Sequence, residues 1–110
     1  MAYDRDLADR IRAVLDDQPD LTEKAMFGGL GFMVNGNMGV AAAGHGGLMV
    51  RVGPAEADGL IADGSAARMV MQGRELAGWV LVPAGNLVTE SELERWVRTG
   101  TGYASTLPPK

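Results

Sequence analysis

Between Glu23 and Val52 no apolar face recurs at helical spacing. The run is cut instead by Gly28-Gly29, Asn35-Gly36-Asn37 and Gly44-His45-Gly46-Gly47. A stretch of that length without helical period forces the middle of the chain into paired strands. Asn35-Gly36 fixes one turn, because a tight primed hairpin needs positive φ at both central residues, which Asn and Gly tolerate best. The spacing predicts three antiparallel strands, near Lys24 to Val34, Met38 to Ala43 and Leu48 to Val52. The first is expected to bend or bulge where Gly28, Gly29 and Gly31 fall.

Helical signals flank this block. From Asp4 to Asp17, Leu7, Ile11, Val14 and Leu15 share one helical face, and Pro19 follows as a stop. Arg5/Asp9, Asp6/Arg10 and Arg12/Asp16 are opposite charges four apart, predicted to lace its outer side. Pro54 suits a first helical turn ahead of Ala57, Leu60 and Ile61, with Gly64 after them. Met69 to Met71 and Trp79 to Val82 read as a second strand pair joined around Gly73-Arg74. Thr89-Glu90-Ser91-Glu92 is a capping-box pattern that opens a last helix carrying Leu93, Trp96 and Val97 inward, its end left open by Gly100 and Gly102. The order is α-β-β-β-α-β-β-α, an α+β class with an antiparallel sheet, since a parallel sheet requires strict alternation. With 110 residues, 46% of them hydrophobic, residues 1–110 make one domain with one core.

Composition excludes several functions. There is no cysteine and one histidine, so thiolate nucleophiles, disulfides and Cys/His zinc sites have no residues to form them, and no metal is expected. A net charge of -4 opposes a polyphosphate backbone, so nucleic acid is not an expected partner. The start, Met1-Ala2-Tyr3-Asp4-Arg5-Asp6, has no apolar stretch behind a basic segment, and no later run approaches bilayer length; the expectation is a cytoplasmic chain without membrane association. Neither Gly-x-Ser-x-Gly nor His-Glu-x-x-His occurs. A dinucleotide fingerprint begun at Gly29 would put Val34 where its third glycine belongs, and no cofactor is expected. The chain is therefore read as non-enzymatic.

Lys24-Ala25-Met26-Phe27-Gly28-Gly29-Leu30-Gly31-Phe32, followed by a hairpin, resembles the opening signature of the TfoX N-terminal domain family. Leu48-Met49-Val50-Arg51-Val52, Gly78-Trp79-Val80 and the ending from Ser105 to Lys110 resemble later parts of the same pattern. The resemblance implies a small α+β sandwich similar to secretion chaperones and a link to competence regulators, with no established catalytic residues. Full-length regulators of this kind carry a second, C-terminal domain, and the expectation here is the first domain alone.

Function is therefore expected at a surface. The leading expectation is a regulatory or adaptor module acting through protein-protein contact, as a homodimer or with a protein partner of unknown identity, built on an exposed strand or an apolar sheet face. The candidate contact residues are Lys24, Met26, Phe27, Gly28, Gly29 and Arg51. The alternative is a small-ligand or anion site made by the glycine-rich bend with Lys24 and Arg51. The two cations otherwise belong at a strand edge or exposed face, where a charge stays solvated. Met26, Met33, Met38, Met49, Met69 and Met71 serve either as core filler or as an adaptable binding surface. Trp79 and Trp96 read as core or interface anchors. His45 reads as a solvated loop residue, and Asp16, Asp17 and Asp20 as solvated carboxylates.

Overall fold

The computed structural model describes residues 3–26, 28–71 and 73–109. Helix α1 (Arg5–Val14) begins at Asp4, whose Oδ1 accepts hydrogen bonds from the amides of Asp6 at 3.0 Å and Leu7 at 3.1 Å. It ends at Val14, before Asp16 and well before Pro19. The four-apart charge lacing expected along it gives way to one three-apart pair within the helix and ties to neighbouring elements. Arg12 pairs with Asp9 at 2.7 Å and with Glu23 of the first strand at 2.8 Å, while Arg10 reaches Glu90 of the last helix at 2.8 Å. None of the three four-apart pairs forms among the described residues: Arg10 turns to the last helix, and Arg12 is shared between Asp9, three residues back on α1, and the first strand.

The strands are β1 (Leu21–Met26), β2 (Gly29–Val34), β3 (Asn37–Ala42) and β4 (Leu48–Arg51), then β5 (Ala67–Met71) and β6 (Arg74–Val82) after helix α2 (Pro54–Ala62). A short 3-10 turn at Ala84–Asn86 leads to helix α3 (Glu90–Ser105). The described residues thus form three α-helices and one antiparallel six-stranded sheet of order β1-β2-β3-β4-β6-β5. This is the expected α+β class, with the expected sequence of helix, strand block, helix, strand pair and helix. Inside the first block, the segment expected as one bent strand from Lys24 is folded back on itself. Gly28 takes φ 77° in the turn, and Leu21 to Met26 pair with Val34 to Gly29. The Asn35-Gly36 turn forms as predicted, with φ 53° and 83°.

All three helices cover the same face of the sheet. Leu7, Ile11 and Leu15 of α1 and its end, Ala57 of α2, and Leu93, Trp96 and Val97 of α3 pack with Phe32, Val40, Val50, Val80 and Val82 in one buried cluster. The alternation within strands sends their neighbours to the opposite face: Ala41, Met49 and Met69 form a second cluster there, flanked by Met38, Leu76, Trp79 and Leu81. The bulge in β3 makes this division possible. Phe32 pairs with Val40 and Met33 with Met38, so Gly39 is the extra residue. A Cβ on Gly39 would stand 2.8 Å from the carbonyl oxygen of Gly100, which lets β3 and α3 touch backbone to backbone. α3 consequently runs straight through Gly100 and Gly102 to Ser105. Its start is the expected capping box, with Thr89 Oγ1 accepting from the Glu92 amide and Glu92 Oε1 accepting from the Thr89 amide, both at 3.1 Å.

Candidate functional site

The face of the sheet that no helix covers holds an apolar trough of about 480 Å³. Strand pairing builds it from the sequence directly. One transverse row runs Lys24, Gly31, Ala41, Met49, Leu81, Ala67 across all six strands. Small residues at its β2 and β3 positions leave the middle low, and Met38, Met69 and Trp79 rise around it. Gly31 has a spatial role here: a Cβ would lie 2.7 Å from Met38 Sδ, so its absence lets the Met38 side chain lie across β2. Met26 and Gly29 close one end of the trough, with the turn containing His45 beside them, while Val70 and Leu76 belong to the far wall.

The predicted contact residues fall on or near this face, though not as one cluster. Met26 and Gly29 line the trough, and Gly28 is exposed in the adjoining turn. Phe27 lies outside the described residues. Gly29 and Gly31 sit inside β2, a strand paired on both sides, so their amides face neighbouring strands rather than an open cradle. Lys24 is exposed on edge strand β1. Arg51 is half-buried on β4, with its guanidinium carbon 5.7 Å from the centroid of the Trp79 ring and its Nη1 3.5 Å from the carbonyl oxygen of Met38. β1 and β4 are three strand spacings apart, roughly 14 Å before the offset along the strands is counted, so Lys24 and Arg51 do not share one small anion. Among the described residues, Met26, Met38, Met49 and Met69 line the trough and none of these four belongs to the helix-side cluster.

Trp79, Leu81, Leu76, Ala41 and Ala43 complete the apolar lining and were absent from the predicted set. The sequence offers only the two-residue geometry of the strand runs Leu48-Met49-Val50-Arg51 and Trp79-Val80-Leu81-Val82, which are apolar at all positions but Arg51. In each, Leu48 or the valines face the helices while Met49, Arg51, Trp79 and Leu81 face away. His45 is exposed at the rim. No group of three or more His, Asp or Glu side chains able to hold a metal ion lies among the described residues, and no described helix is long and apolar enough to cross a membrane.

What this arrangement offers chemically is burial, with one cation at its margin. A family model described as the TfoX N-terminal domain matches residues 13–103, a span that includes all six strands, α2 and nearly all of α3. Comparison with curated proteins and with solved structures gave no match.

Proposed function

The chain belongs to the TfoX N-terminal domain family, and on that premise we propose that it is a non-catalytic regulatory or adaptor module that works in the cytoplasm through protein-protein contact, first of all with a second copy of itself. One observation carries the reading: the sheet has a helix layer on one face only, and the bare face is apolar up to the edge at β5. The two edges of the sheet differ in degree, β1 carrying two exposed charges and β5 one, Arg68, which favours β5 as the meeting line. On β1, Thr22, Glu23 and Lys24 are exposed, and charges of this kind discourage strand addition. On β5, Val70 is 53% exposed. Two copies meeting along β5 would extend the sheet and join their bare faces under one two-fold axis.

Sedimentation velocity over a micromolar concentration series tests this. A monomer-dimer equilibrium is the expected result. A monomer throughout, together with failure of the chain to cross-link to itself or to any partner, overturns the proposal.

A further inference from the structure

The trough has the dimensions of a ligand site as well as lying on a contact face. Its volume of about 480 Å³ falls within the roughly 300–1,000 Å³ usual for small-molecule pockets. Ala41 is 4% exposed, Met49 6% and Met69 9% within a single chain. Their neighbours already shelter them, so the opening is a cleft between side chains rather than a flat patch.

We propose that this trough binds a small amphipathic monoanion, an aliphatic or aromatic carboxylate whose body lies along Ala41, Met49 and Trp79 and whose carboxylate meets Arg51. Charge distribution supplies the argument for the head group. Arg10, Arg12, Arg68 and Arg98 each have a carboxylate within 4.0 Å. Among the described residues Arg5, Arg51, Arg74 and Arg95 have none, and of these four Arg51 alone is half-buried, the others being exposed. Its one protein acceptor, the carbonyl of Met38 at 3.5 Å, is at the limit of hydrogen bonding and leaves most of five N–H donors unspent. Met38 and Trp79, the two groups that hold the guanidinium, both line the trough; Arg51 is not itself a lining residue, and its guanidinium stands behind these two at the margin. No Asp or Glu belongs to the lining. An apolar cleft with a guanidinium free of carboxylate partners just beyond its wall, and no carboxylate in the lining to repel an anion, selects an apolar body carrying one negative charge. Methionine walls suit such a ligand, because a flexible thioether chain adapts to bodies of differing outline.

The test is a titration of isotope-labelled full chain, followed by amide NMR shifts, with octanoate, 1-octanol and octylammonium as three probes of equal chain length. Octanoate is expected to move amides of β3, β4 and β6 saturably and to bind at least about tenfold more tightly than octylammonium. Arg51→Gln is expected to weaken octanoate by about tenfold or more, the loss of one charge-assisted hydrogen bond, without altering the rest of the spectrum. The absence of saturable shifts with octanoate, equal affinity for all three probes, or unchanged octanoate affinity in Arg51→Gln overturns the proposal. If that variant fails to fold, the probe series on the unaltered chain still decides. Sedimentation of the unliganded chain tests the protein contact separately, so either reading can fail alone.

Discussion

Glu23 and Arg51 show how differently single residues behave on the two faces of this sheet. Arg12 grips Glu23 through two hydrogen bonds, Nε to Oε2 at 2.8 Å and Nη2 to Oε1 at 2.9 Å, and these hold the Glu23 carboxyl below its ordinary value of 4.5. A carboxylate whose folded pKa is depressed contributes stability that is present above its unfolded pKa and disappears as pH falls through the folded value. Glu23→Gln is therefore expected to be less stable than the unaltered chain at pH 7, with the gap closing as pH drops through 4.5 and below. Urea unfolding at a series of pH values checks this, and a gap that persists at pH 2 would show that the charge is not its source. The gap should also shrink with added salt, since the pair is only partly shielded. Arg51, by contrast, has an aromatic ring and a distant carbonyl for company. That Arg51 lies on a strand was legible in the sequence, but it sits half-buried on β4, paired on both sides, rather than at the strand edge or exposed face expected for it. Which face the helices cover was not legible, since Met and Leu are both apolar and a two-residue period carries no label for the second layer.

Elements meet most closely where α3 crosses β3. A Cβ on Gly39 would come within 2.8 Å of the Gly100 carbonyl oxygen and 2.9 Å of the Thr101 Cα, so neither strand nor helix can step back without opening the core beneath Trp96 and Val97. Gly102, two residues further along the same helix, has open space where its Cβ would be. Alanine is worth up to about 1 kcal/mol over glycine inside a helix, and Gly102→Ala is expected to gain a part of that. Gly100→Ala is expected to lose about 1–3 kcal/mol instead, because backbone is forced against backbone. Chemical denaturation of the two variants separates the effects, and a stabilised Gly100→Ala would mean that the contact is looser than these distances imply. The same comparison explains why the end of α3 could not be read from its residues: a glycine that breaks a helix and one that permits close packing are identical in sequence. β1 escaped notice for a related reason. It is an edge strand whose residues are exposed or half-buried throughout, so Leu21 to Met26 show no alternation, and its turn carries Gly28 without an Asn or Asp before it. The Asn35-Gly36 turn, the Thr89 capping box and the buried period of α1 were legible because each rests on local chemistry alone.

At the scale of the whole molecule the charges are segregated. Every described carboxylate falls on a helix, on a helix cap or connection, on β1, or at Glu75, which shares Arg68 with Asp58 of α2. The net charge of -4 is thus carried mainly by the helix side, and two copies meeting through their helix layers would repel, whereas a meeting through the bare faces keeps those layers apart. Among the described residues two large apolar side chains are exposed, and they sit on different elements: Val70 on edge strand β5 at 53%, and Val88 just before α3 at 71%. They make a matched pair for locating the contact. Val70→Glu places a carboxylate on the β5 edge and is expected to weaken self-association by about tenfold or more, since an unpaired charge would have to be desolvated in the joint. Val88→Glu adds the same charge to the helix side and is expected to leave association unchanged. Both sites are exposed, so each variant's monomer should stay within about 1 kcal/mol of the unaltered chain. Equilibrium sedimentation of the three proteins measures the difference directly. If Val88→Glu dissociates the dimer and Val70→Glu does not, the copies meet through their helices despite the charge, and the bare face is left to the small anion alone.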